Sequence, residues 1–281
     1  MLKQRVITAF VLLLILLPAL FYNSPVPFSA IALLLIAAGA WEWARLNQYG
    51  SVVSVLSGVG CAVVCATAWW LGLLEQSLAL LWALAGAAWV LGAAFVLHRG
   101  VSAWSSYPRV IRLAAGLLAL GLAWLAVAQA RMIGINFLLS ILVLVWVADI
   151  FAYFSGKALG GRFSQVKLAS SISPGKSWEG VWGGMAGVLI SAFIWRWADA
   201  VWGGASQSLY SHLGSKGNWL LLIAMVFMAS MSVVGDLFES LVKRSAGVKD
   251  SSALLPGHGG VLDRVDALLP TLPLAMMLYS L

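Results

Sequence analysis

Residues 134–154 read "GINFLLSILVLVWVADIFAYF". No charge interrupts the run before Asp149. The stretch is long enough to cross a hydrocarbon core of about 30 Å as one helix. At about 1.5 Å per residue, Asp149 lies roughly 22 Å along that helix. An unpaired carboxylate at such depth costs about 2.5–3.5 kcal/mol on insertion scales. The segment therefore implies a membrane span and a purpose for its acid.

The rest of the chain agrees with the first inference. It has 281 residues, 62% hydrophobic and only 10% charged, where soluble domains carry about 25% charged residues. The start, "MLKQRVITAFVLLLILLPALFY" (Met1–Tyr22), has the basic and apolar parts of a signal peptide but no A-x-A cleavage pattern. It is expected to stay as a first span. Cys61 and Cys65 lie four apart in an apolar stretch. With no His or carboxylate beside them, they make neither a disulfide framework nor a zinc site. The fifteen Trp read as interfacial anchors and packing.

Candidate spans fall at 6–22, 26–44, 52–74, 78–97, 112–130, 134–154, 178–201, 218–240 and 262–281. The last is marginal, because its apolar part begins only at Ala267. The expected fold is thus an all-α integral membrane protein of about nine helices. With the N-terminus in the cytoplasm, fourteen of the seventeen basic residues fall on the cytoplasmic side; Arg131, Arg196 and Lys216 stay outside. That bias is the positive-inside pattern and predicts N-in, C-out. It also explains the net charge of +7 without nucleic acid. In "EGVWGGMAGV", the pairs Gly180/Gly184 and Gly183/Gly187 would let a neighbouring helix approach closely.

Eight of the ten acids then lie in the cytoplasmic half or its loops. Asp149, Asp236 and Asp266, on three different spans, reach similar depths of roughly 22 to 27 Å. In "GDLFESLVKR", Asp236, Glu239, Ser240 and Lys243 share one helical face, and in "DRVD" Asp263 and Asp266 do too. Hard oxygen donors without His or Cys favour Mg²⁺ over zinc. Neutralisation by Lys243, Arg244 and Arg264 with no ligand is the alternative.

Two loops could meet phosphate. The first, 155–180, holds four basic residues among glycines and serines. Its "GKS" fails as a Walker A motif, because Ser170 stands where glycine is required and no strand precedes it. Ser173-Pro174 instead predicts an N-cap and first turn of the seventh span, placing Lys176 at a positive helix end. The other use of such a loop is contact with anionic lipid headgroups. In the second loop, Pro256, Gly257, Gly259 and Gly260 forbid a regular helix. His258 lies between basic residues and the Asp263/Asp266 pair, suited to a structural hydrogen bond or to phosphate or water.

Ser240–Asp266, "SLVKRSAGVKDSSALLPGHGGVLDRVD", resembles the signature of the phosphatidate cytidylyltransferases, or CDP-diacylglycerol synthases. Its fixed positions are filled by Ser240, Lys243, Arg244, Lys249, Asp250, Pro256, His258, Gly259, Gly260, Asp263, Arg264 and Asp266. Upstream, Asp149, Tyr153, Gly156, Lys157, Ser173, Pro174, Lys176 and Glu179 also stand where that family has matching types, with Ser177 in place of a frequent Thr. The likeness is specific over roughly 146–270 and only general before it.

The resemblance implies that CTP and phosphatidate give CDP-diacylglycerol and pyrophosphate in the bacterial cytoplasmic (inner) membrane, with an active-site cavity near the cytoplasmic side. It divides the chain into about five N-terminal spans at 1–133 and a catalytic region at 134–281, with cytoplasmic loops 155–177 and 241–261. Asp236, Asp263 and Asp266 are the expected metal carboxylates, for Mg²⁺ and a candidate second cation. Lys243, Arg264 and His258 join them as catalytic candidates. Substrate contacts are expected from Asp149, Tyr153, Lys157, Ser173, Lys176, Ser177, Ser240, Arg244, Lys249 and Asp250. The expected partners are CTP, membrane phosphatidic acid and a second copy in a homodimer, with no nucleic acid. A CTP-dependent polyprenol or dolichol kinase is the runner-up. A secondary transporter fits less well, since the charges crowd one side and no inverted repeat is visible.

Overall fold

Long apolar stretches without hydrogen-bonding partners in lipid must satisfy their own backbone, and the helix does so within one segment. A computed structural model, describing residues 2–204 and 206–281, shows this outcome: among the described residues there are twelve helices and no strand, only an isolated bridge between Leu255 and Gly259. Eight helices are long and apolar enough to cross a membrane. They are α1 (Leu2–Phe21), α2 (Val26–Leu46), α3 (Ser51–Trp70), α4 (Ala79–Arg99), α6 (Arg109–Ile133), α7 (Ile135–Leu159), α8 (Trp178–Trp202) and α10 (Asn218–Ser245). Short α5 (Val101–Trp104) and α9 (Leu209–Lys216) lie in the connections from α4 to α6 and from α8 to α10. The protein is an all-helical, multi-pass membrane protein.

The closing segment is broken. Residues 262–281 form a single turn, α11 (Leu262–Val265), and then α12 (Leu268–Tyr279), whose 12 residues are too few to span alone. At the junction the Asp266 side chain accepts a hydrogen bond from the Ala267 N–H at 2.8 Å.

Two contacts position the site. The first is the α7–α8 pair, where glycine spacing acts as expected. A Cβ at Gly184 would stand 2.9 Å from the Ala148 carbonyl, and one at Gly180 would stand 3.0 Å from that of Ala152. Backbone touches backbone, which only small residues permit. The second is α10 against α12: Gly235 faces the Asp266 carbonyl and the Pro270 ring at 2.5 and 2.8 Å from its absent Cβ. Asp236 is therefore carried beside Asp266.

Candidate active site

The N-terminus of α8 is built by two side chains. Ser177 accepts a hydrogen bond from the Gly180 N–H at 3.2 Å and is the cap, not Ser173. Ser173 and Pro174 belong to the preceding turn, closed by Lys176 N–H to the Ser173 carbonyl at 3.2 Å. Glu179, buried in the first helical turn, accepts the N–H groups of Phe163 and Ser164 at 3.1 and 2.8 Å. It ties the loop after α7 to the start of α8.

This arrangement opens a cleft of about 420 Å³ between α7, α8 and α10. Asp149, Tyr153 and Lys157 enter it from α7, Lys176 and Ser177 from the α8 loop, and Asp236 from α10. Lys176 Nζ meets Asp236 Oδ2 at 2.5 Å, and Ser240 donates to Asp236 Oδ1 at 3.2 Å. Lys157 Nζ lies 5.9 Å from the Tyr153 ring centroid. Two carboxylates, two ammonium groups and two hydroxyls thus border one space, with Ser240 bonded to Asp236.

The signature loop forms a second node. Lys243, buried on α10, pairs with Glu239 one turn earlier and with Asp263 Oδ1 at 2.6 Å. Asp263 Oδ2 accepts the Ser251 N–H at 2.9 Å, the Ser251 hydroxyl at 2.8 Å and the Gly260 N–H at 2.7 Å. The turn needs its glycines, since Gly257 and Gly259 adopt φ of 77° and 82°. Arg264 donates to the His258 carbonyl at 3.1 and 2.8 Å, and the buried His258 Nδ1 has no partner. Arg244 reaches the Ile172 carbonyl at 3.4 Å and links the two loops, while Lys249 and Asp250 are exposed.

Glu42, on α2, is one of the eight acids of the cytoplasmic half and was not among the expected site residues. It is fully buried and receives the Ser251 and Ser252 hydroxyls and the Val261 and Leu262 N–H groups, at 3.3, 2.5, 2.9 and 2.8 Å. A lone Glu inside an apolar span was the one signal that could have marked it. From α1, Arg5 and Thr8 bond the Gly257 and Pro256 carbonyls at 3.0 and 2.8 Å.

The donor set suits a hard cation in one place more than another. Among the described residues no three His, Cys, Asp or Glu side chains gather as a cage. Asp263 and Asp236 each have both oxygens engaged, but Asp236, like Asp149, faces the cleft, where Lys176 and Ser240 are its partners, and Asp263 does not. One or two carboxylates completed by substrate phosphates is the usual Mg²⁺ arrangement.

A polytopic helical protein with a cleft of paired acids and bases is built to handle anions at a membrane. Comparison with known proteins makes the class specific. The cytidylyltransferase family model matches residues 3–281. A Pseudomonas aeruginosa protein named phosphatidate cytidylyltransferase is 40% identical over all of this chain and 98% of its own length. One of the same name from Haemophilus influenzae is 39% identical over 99% of both chains. A third, from Thermotoga maritima, is 40% identical over 51% of this chain and 48% of its own. The chain belongs to the cytidylyltransferase family, and by class it is a nucleotidyltransferase.

Proposed function

We propose that the protein transfers the cytidylyl group of CTP to phosphatidate, giving CDP-diacylglycerol and pyrophosphate for phospholipid synthesis. The carrying observation is the cleft in which Lys176 pairs with Asp236 opposite Asp149 and Lys157. A phosphate oxygen of phosphatidate forms a new bond to the α-phosphorus of CTP. The bond from that phosphorus to the oxygen bridging to the β-phosphate breaks, and pyrophosphate leaves. Both reactants are anions, so the protein's task is alignment and charge neutralisation, with little need for a base. Lys157 and Lys176 screen the two phosphates, with the Ser173 and Ser177 loop beside them. Tyr153 borders the entry from the lipid side.

Mg²⁺ is the proposed cofactor, with a second cation in reserve; when bound it neutralises triphosphate oxygens and the departing pyrophosphate. Asp236, with Asp149 across the cleft and Asp266 behind, would hold it. Asp263, the other metal candidate, is better used as the acceptor that closes the signature loop. Lys243, Arg264 and His258 then act through that loop, and Ser240 steadies Asp236. Arg244, Lys249 and Asp250 lie where incoming CTP phosphates would pass.

The proposed setting is the bacterial inner membrane, N-in and C-out. Nine crossings result if α11 and α12 together make the last, and the site then opens toward the cytoplasm. Residues 134–281 form the catalytic region, with loops 155–177 and 241–261, and 1–133 its support; a homodimer is the proposed assembly. Asp236→Asn, assayed with CTP and phosphatidate across a Mg²⁺ titration, should lose about 10²-fold or more in turnover. Near-normal turnover at every Mg²⁺ concentration would remove Asp236 from the site.

A further inference from the structure

On the face of α10 away from the cleft lies a second feature that the reaction does not use. Phe238 is two residues, and so about 200° around the helix, from Asp236. It borders an apolar cavity of about 240 Å³ with Trp89, Gly92, Val96, Trp104 and Gly116. Gly92 and Leu118 are exposed at its edge, so it opens sideways on the lipid-facing surface.

One helical turn from Ala115 and Gly116, in the first turn of α6, is Arg112. Its residue exposure is only 6%, its Nε has no hydrogen-bond partner, and no carboxylate among the described residues pairs with it. A guanidinium stays charged, and buried charges are ordinarily paired. Its ionisable neighbours, Arg109 and Tyr49, offer no acid. Its backbone is fixed, since the Arg112 carbonyl accepts Trp43 Nε1 at 2.9 Å, and Trp43 is itself a wall of the cavity. Tyr107, whose ring packs on Trp104 and Phe95 at 6.2 and 6.4 Å, also has a buried hydroxyl without a partner. Arg99 lies over the Phe95 ring at 4.9 Å.

We propose that Arg112 and the cavity below it form a binding site for an anionic glycerophospholipid of the surrounding leaflet, separate from the catalytic cleft. The phosphate takes Arg112 and the Tyr107 hydroxyl, and an acyl chain enters between α4 and α6. Three arginines, Arg99, Arg109 and Arg112, with no acid among them, select a net negative headgroup over a zwitterionic one. α10 stands between this lipid and the cleft, so it is a resident lipid and not the reactant.

The test is native mass spectrometry of delipidated, detergent-solubilised protein titrated with phosphatidylglycerol, phosphatidylcholine or phosphatidate. Wild type should retain one phosphatidylglycerol and no phosphatidylcholine. Arg112→Gln should weaken retention about tenfold or more, with Arg112→Lys restoring part of it. Gly92→Leu provides a second, independent block: Gly92 borders the cavity and a Cβ there has nothing within 4 Å, so a larger side chain at this edge is accommodated by the fold. Equal retention of both lipids, or wild-type retention in Arg112→Gln and Gly92→Leu, would overturn the proposal. So would loss of phosphatidylglycerol in Lys176→Ala, which would place the lipid in the cleft.

Discussion

Glu42 is the residue whose removal should tell most about how the site is held. Its carboxylate is the acceptor for the Val261 and Leu262 N–H groups at 2.9 and 2.8 Å and for two serine hydroxyls. Glu42→Ala leaves those two buried backbone donors without an acceptor, at about 1–3 kcal/mol each. The combined cost is about 2–6 kcal/mol, where about 1.4 kcal/mol changes an equilibrium tenfold. The whole chain need not unfold to escape it. The signature loop can detach instead, and the cost then appears as loss of the ordered loop. Two readouts follow. Turnover with CTP should fall by at least tenfold, and trypsin should cut faster at exposed Lys249. Glu42→Gln keeps the size and one acceptor oxygen but adds a donor, so it should fall between. Wild-type turnover and wild-type cleavage in both variants would refute the role of α2 as the loop's anchor.

Lys243→Met removes the shared partner of Glu239 and Asp263, both buried. Breaking such a pair from one side costs about 3–5 kcal/mol, so thermal unfolding should move down by several degrees, with partial recovery on adding Glu239→Gln. An unchanged midpoint would show that the node is solvated. Gly184→Val puts a branched side chain where even a Cβ meets the Ala148 carbonyl at 2.9 Å. It should separate α7 from α8 and widen the cleft, read as a higher KM for CTP together with lower stability; unchanged values in both would mean that the pair can slide.

The sequence made some of this plain and hid the rest, for physical reasons. Unbroken apolar runs mark the eight long helices, because length and hydropathy are local properties. The close α7–α8 approach was also legible, since the Gly180/Gly184 spacing encodes it. The span of α8 was set to begin at 178, as it does, but its cap was misplaced by four residues. Ser173-Pro174 has the look of a cap, but a turn through Gly175 intervenes, and Ser177 makes the capping bond. The last apolar segment read as one marginal span, whereas it breaks at Asp266 between α11 and α12. Depth counting set Asp149, Asp236 and Asp266 at similar levels; in the structure Asp149 and Asp236 line one cleft, and Lys176 meets Asp236 there. Asp263 was named as a metal candidate and not as the acceptor for Ser251, Gly260 and Lys243, and Glu42 escaped because its partners are distant in the chain. No spacing rule joins Glu42 to Leu262, and only packing of α2 against the loop shows that they meet.

The central claim is the fate of CTP. Purified protein incubated with phosphatidate, Mg²⁺ and CTP labelled in the cytidine and, separately, in the γ-phosphate should place the cytidine label in lipid and the γ-label in pyrophosphate. Cytidine label left in water as CDP, with the γ-phosphate carried into lipid, would contradict the account and make the protein a lipid kinase.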